Sequence, residues 1–220
     1  MTSSGTPEKL RVIYDNAGCL VCIKPAGIPS EGDGVSMVSM LSAQTGKQIY
    51  PVHRLDTQTS GAMVFAYKQE EAARLSRLIQ EKKEFRKEYL AIVEGRPENA
   101  GGVFEDLLYF DRSKNKSFVV TKARSGVKEA SLEYCAEGTA EYEGKPCTLV
   151  RIVLHTGRTH QIRVQFASRG MPVAGDRRYG SHLKCPLALH SFRIGFPDKK
   201  GNMLMFEAER PSGLPWELFE

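Results

Sequence analysis

The stretch His53-Arg54-Leu55-Asp56-Thr57-Gln58-Thr59-Ser60-Gly61 sets one acid beside an arginine in a corner full of hydroxyls that closes on glycine. Ile49-Tyr50-Pro51-Val52 before it and Ala62-Met63-Val64-Phe65-Ala66-Tyr67 after it are apolar runs of strand length and composition. Asp56 therefore falls at the end of a rigid element. Thr57, Thr59 and Ser60 can bond back to nearby backbone, and Gly61 permits a tight approach or a positive φ, so the corner can hold one shape. On its letters alone the commoner reading is an ordinary Asx or hydroxyl-capped turn.

Upstream of this corner, Arg11–Tyr14 and Cys19–Ile23 read as short strands around the turn 15–18, and residues 28–34 as an exposed loop. Val35, Val38 and Leu41 give 35–45 weak helical spacing. Downstream, Glu70–Lys83 predicts a helix with Ala72, Leu75, Leu78 and Ile79 on one face and Arg74, Arg77 and Lys82 mostly elsewhere. From Phe85 to Val93 the pattern alternates, placing Lys87 and Tyr89 on one strand face. Further strands are expected at 117–121, 130–135, 148–154, 189–194 and 203–208. Thr159 is a candidate cap for a short helix from His160 to Ser168, stopped by Gly170. Residues 95–116, rich in Gly, Asn and Lys, suggest a flexible insertion. Strands outnumber helices, which points to an α+β protein with a mixed or antiparallel sheet.

The 220 residues, 41% of them hydrophobic, suffice for a substantial core. No secretory signal and no apolar run of membrane-spanning length is found, so a soluble, cytoplasmic protein is expected. Five scattered cysteines suit a reducing compartment, and the Cys19/Cys22 pair, without a second pair, reads as packing rather than a zinc site. The net charge of +5 is uneven. Residues 74–128 carry thirteen Lys or Arg against eight acids, and 155–184 carry six against one, which leaves an excess of acid elsewhere. Such asymmetry suits a phosphate-facing surface, although a solvated face of mixed charge remains open.

The HRLDTQTSG stretch is similar to the catalytic signature of the RluA-type RNA pseudouridine synthases. The resemblance continues in order through Cys22–Gly27, Arg86–Ala91, Thr156–Val164, Gly175–Gly180 and Leu187–His190, across nearly the whole chain. It implies the pseudouridine synthase fold: α+β, with a bent mixed or antiparallel central sheet, flanking helices, and two halves beside a catalytic cleft. It also implies a flexible N-terminus at 1–8 and one catalytic domain over 9–220, without the S4-type RNA-binding module that members often carry.

The implied activity is an isomerase (intramolecular transferase) that converts uridine to pseudouridine in structured RNA, ribosomal or transfer. It needs no cofactor or metal. Carboxylates attack anomeric carbons in glycosidases, so the aspartate at the family's catalytic position, Asp56, has a physical precedent. Whether it adds to the sugar or removes a sugar proton stays open. The resemblance gives Tyr89 a place against the uracil, where it can stack and assist proton removal at C5. It makes Arg163 the cation that keeps the aspartate ionised. Arg54 would fill the space left by an extruded nucleotide. Lys24, Lys87, Arg158 and His160 are candidates for phosphate contact, each equally readable as a solvated or supporting residue. Leu189 and His190 match the closing motif, a structural support. The chain departs from the pattern at Gln165, where histidine is common, and at Ser191, where alanine is common. The expected partner is structured RNA, with no membrane and a monomeric state.

Other enzyme classes fit less well. A nucleosidase would want a second placed carboxylate, and none stands in a comparable motif. A non-catalytic RNA-binding module has no use for Asp56, Tyr89 and Arg163 together. A His53, Asp56, Ser60 triad is too compressed in sequence to converge, and Thr45-Gly46-Lys47-Gln48 lacks the residues of a P-loop.

Overall fold

The computed structural model describes residues 9–81 and 84–220. In chain order the first elements are β1 (Val12–Asp15), β2 (Cys19–Lys24), α1 (Met37–Thr45), β3 (Tyr50–Pro51), β4 (Ser60–Ala66) and α2 (Gln69–Gln80). There follow β5 (Arg86–Glu94), β6 (Gly101–Asp111), β7 (Lys116–Val120), β8 (Val127–Tyr142), β9 (Lys145–Leu154), α3 (Gln161–Ala167), β10 (Leu189–Pro197) and β11 (Met203–Glu207), with short 3-10 turns at Arg177–Tyr179 and Trp216–Phe219. Strands dominate and helices are few, as the α+β reading expects. The expected N-terminal tail 1–8 lies outside the described residues.

The chain forms two compact units, one of residues 9–85 with Ile194–Ala208, the other of Arg86–Arg193 with Glu209–Glu220. In the first, the strand order is β1-β2-β4-β10, with β3 on β4 and β11 on β10. β1–β2, β2–β4 and β3–β4 are antiparallel, and Lys24 stands opposite Gly61 at the end of the β2–β4 ladder. Val21, Val64, Leu75, Ile194 and Phe196 are among the residues of its core. Each fully buried side chain of this size stabilises the fold by about 1.5–3 kcal/mol. Cys19 and Cys22 are both buried. Three residues apart on a strand, they point to opposite faces, so they pack separately.

Helix α2 packs through Ala72 and Leu75, with Glu70 and Glu71 in its first turn, where the helix dipole favours acids. Arg74 binds Glu71 and donates to Pro197 O at 3.2 Å, which fixes α2 to the end of β10. The helix ends at Gln80 with Glu81 as its C-cap, one residue into the expected extension to Lys83, and residues 82 and 83 lie outside those described. Helix α1 corrects the sequence reading. Val35 is 68% exposed, and the buried pair is Met37 and Leu41. A capping box starts the helix, with the Ser39 N–H donating to Ser36 Oγ at 3.3 Å and the Ser36 N–H to Ser39 Oγ at 2.9 Å.

In the second unit the order is β10-β5-β9-β8-β6-β7. The β5–β9, β8–β9, β6–β8 and β6–β7 pairs are antiparallel. Leu90, Ile92, Leu149, Ala174, Leu183 and Trp216 belong to its core. Half of the expected flexible insertion at 95–116 is instead β6, paired over nine positions with β8. Only Phe104 and Leu108 of this strand are buried and the rest are exposed or half-buried, so composition hid a strand that only its neighbour reveals. Thr159 does not cap α3 either. His160 stands at the cap in a left-handed conformation, φ 54°, and no side chain caps the helix.

Candidate active site

In the first unit the Asp56 corner joins β3 to β4 and is organised by a lysine. Lys24 is 0% exposed, and its ammonium donates to Pro25 O at 3.0 Å, Thr57 O at 2.9 Å and Thr59 O at 2.8 Å. The three protons of that ammonium match these three carbonyls. The Gly27 N–H also reaches Thr57 O at 2.8 Å, and Thr59 N–H donates to Asp56 O at 3.0 Å to close the turn. Ser30 Oγ satisfies both backbone groups of Leu55, accepting its N–H at 3.0 Å and donating to its carbonyl at 2.9 Å. Gly61 takes φ 112°, a conformation that L side chains rarely adopt. Burial lowers the Lys24 ammonium to about 8, and the Asp56 carboxylate partly counteracts that shift.

The neighbours of Asp56 divide into outward and inward groups. The Arg54 side chain is 68% exposed and pairs with Glu31 at 3.2 Å. An exposed pair of this kind contributes about 0–1 kcal/mol, so Arg54 can exchange it for another anion. His53 Nε2 accepts the Val64 N–H at 3.3 Å, and its ring lies edge-on to Phe85. That backbone bond ties His53 to β4 and supports setting the triad aside.

In the second unit, Lys87 and Tyr89 share a face of β5, and both are buried. Burial lowers Lys87 to about 8, and the neighbouring Arg158 pushes in the same direction. A β-carbon at Gly157 would lie 3.2 Å from Lys87 Nζ, so the two positions are close neighbours. Gln161 organises the loop before α3. Its Oε1 accepts from Thr156 Oγ1 at 2.7 Å and from the Arg158 N–H at 3.0 Å, while Nε2 donates to Ser131 O at 3.1 Å. The Arg158 side chain donates to Glu129 O at 2.9 Å.

His160 is buried, with Nδ1 at 3.0 Å from the Tyr179 hydroxyl, which accepts the Ser117 N–H at 2.8 Å. Arg163 is buried as well, and Asp176 holds its guanidinium through Nε at 2.6 Å and Nη2 at 2.9 Å. The Tyr179 ring lies 5.1 Å from the same guanidinium. His190 stands edge-on to Trp216, and burial lowers it to about 4, so its ring is neutral at ordinary pH. Of the two departures, Gln165 is buried and donates to Asp106 at 2.7 Å, and Ser191 is buried in β10.

Sequence reasoning passed over Gln161, Asp176 and Tyr179. Their signal was present, since all three stand in segments that carry the family resemblance. Among the described residues, no cluster of three or more His, Cys, Asp or Glu is placed to hold a metal, and no helix is long and apolar enough to cross a membrane.

Residues 18–168 match the family model described as RNA pseudouridylate synthase. The chain belongs to the RluA-type RNA pseudouridine synthase family. Membership makes it an isomerase that acts on RNA. An uncharacterized RNA pseudouridine synthase of Aquifex aeolicus is 35% identical, over 93% of this chain and 71% of that protein. A protein named tRNA pseudouridine synthase C, from Pasteurella multocida, is 31% identical over 91% of this chain and 84% of its own length. Among solved structures, human RNA pseudouridylate synthase domain containing 1 aligns with a TM-score of 0.79 at 22% identity, covering 94% of this chain and 86% of that one. At that identity the likeness speaks to the fold, and it agrees with the pseudouridine synthase fold read from the sequence.

Proposed function

We propose that this pseudouridine synthase isomerises particular uridines in structured ribosomal or transfer RNA, with Asp56 as the reactive carboxylate. The reaction breaks the bond from N1 to the anomeric carbon, turns the freed uracil and joins C5 to the same carbon. The proton leaves C5, N1 gains one, and no oxidant or energy source is consumed. Such chemistry wants an anion at the sugar, a surface that retains the base and an acceptor for the C5 proton. Asp56 supplies the first, Tyr89 the second and help with the third, and Arg163 favours the ionised carboxylate.

The observation that carries this reading is the corner itself. One ammonium gathers the carbonyls of Pro25, Thr57 and Thr59 around the backbone of Asp56, and a carboxylate that must meet one sugar carbon benefits from such rigidity. Lys24 is thereby assigned a holding role, and buried His160 another. Arg54, Lys87 and Arg158 remain the candidates for RNA contact. The similar protein named for transfer RNA supports that substrate class, with ribosomal RNA as the other.

The test is Asp56→Ala. It should fold, retain RNA binding and lose more than about a thousandfold in pseudouridine formation. Undiminished conversion by this variant refutes the assignment. Release of free uracil by the unaltered enzyme would instead indicate a hydrolase.

A further inference from the structure

The loop that follows α3 is tied down more heavily than a surface turn requires. Asp176 is buried, and its carboxylate spans Nε and Nη2 of Arg163. Its backbone is held three times over: its carbonyl accepts the N–H groups of Tyr179 and Ser181, both at 3.0 Å, and its own N–H reaches Val173 O at 2.9 Å. Just before it, Gly175 takes φ +76°, and a β-carbon there would fall 2.4 Å from Pro186 O. Only glycine lets the loop lie that close to the neighbouring backbone.

A second layer stands behind the first. Ser181 Oγ accepts the Gly175 N–H at 3.0 Å and donates to the Glu94 carboxylate at the end of β5. The other Glu94 oxygen takes the Lys145 ammonium at 2.8 Å. Burial raises the Glu94 carboxyl, but the bonds from Lys145 and Ser181 outweigh it and hold Glu94 below the usual carboxylate range. It is therefore ionised at neutral pH and accepts a hydrogen bond from the Ser181 hydroxyl.

We propose that Asp176 is the positioning residue for Arg163, and that Glu94 and Ser181 set the angle of Asp176 by anchoring Gly175. A guanidinium gripped at one point can swing about its last bonds. Two parallel hydrogen bonds to a buried carboxylate fix both its plane and its direction. The inference rests on the proposed part of Arg163 in the reaction.

Single-turnover conversion of a uridine-containing substrate RNA tests it. Asp176→Asn should slow the chemical step by about a hundredfold while KM for RNA stays within about threefold, because misdirection harms the reaction more than binding. Ser181→Ala should cost about tenfold, and the double variant should be no slower than Asp176→Asn alone, since both act on one path. Adding guanidinium ion should restore part of the rate of Arg163→Ala, and none of it once Asp176→Asn is also present. Full rate in a folded Asp176→Asn variant, or multiplying losses in the double variant, overturns the proposal.

Should Asp176→Asn fail to fold, Ser181→Ala and Glu94→Gln decide. Equal losses singly and together support the anchor, and unaltered rates in both overturn it. Arg163→Ala separates the two layers of inference. If it keeps full rate, the reading of Arg163 falls and takes this proposal with it. If it is inactive while Asp176→Asn is not, only the positioning claim fails.

Discussion

Each unit buries a lysine, and the two lysines are kept in different ways. Lys24 in the first is 0% exposed and gives its ammonium to three backbone carbonyls, with the Asp56 carboxylate favouring its charge. Lys87 in the second is 7% exposed, and the cation nearest it in effect is Arg158, a like charge. Burial lowers both to about 8. One cation is thus satisfied from within and serves as a fastener, whereas the other is held at a cost that an incoming anion would relieve. A phosphate of RNA is the anion this enzyme meets.

The sharpest way to break that comparison is Lys24→Met, which keeps the stem and removes the ammonium. Three carbonyls then lose their donor, and unfolding in urea at pH 7 should show a loss of about 3 kcal/mol, accompanied by a large fall in activity. A loss no greater than that of an exposed lysine would mean the corner holds itself. Lys87→Met should behave differently, leaving stability unchanged or higher at pH 7 and weakening RNA binding. The salt dependence of its binding should flatten by about one phosphate contact. Unaltered affinity and salt slope would remove Lys87 from the RNA surface.

The pH dependence sharpens the contrast further. With a folded value of about 8 against the ordinary 10.5, the unfolded chain binds more protons between those limits, so Lys87 adds stability as the pH rises from 8 towards 10.5. Any advantage of Lys87→Met at pH 7 should therefore shrink across that window in urea titrations, and a constant difference would contradict the assigned shift. The smallest effect is expected at Arg54→Ala. Its ion pair with Glu31 is exposed, so the urea midpoint should move by the equivalent of less than about 1 kcal/mol while conversion of RNA slows. A change in stability alone would make Arg54 a structural residue.

Much of this was legible in the chain. β2, β4 and β5 are continuous apolar or alternating runs, and burial on one or both faces makes such runs visible without a partner. β6 was not, because Gly101, Gly102, Glu105 and Asp106 have the composition of a loop, only Phe104 and Leu108 are buried, and the strand is recognisable only by its pairing with β8. Helix α1 was misplaced by two residues since Val35 looks apolar while Ser36, a cap, decides where the helix begins. The segments with Lys24, Gln161 and Asp176 were singled out in the sequence, yet what those side chains hold was not.

The sequence by itself determined the family, the order of its motifs and the acid on which the chemistry is proposed to turn, because these depend on residue type and local spacing. The tertiary structure decided which charges are spent and which are held in reserve. Lys24 reaches Thr57 and Thr59 across more than thirty positions, and Ser181 reaches Glu94 across 87. Hydrogen bonds of that range leave no period in the chain, and only the folded backbone brings donor and acceptor within reach.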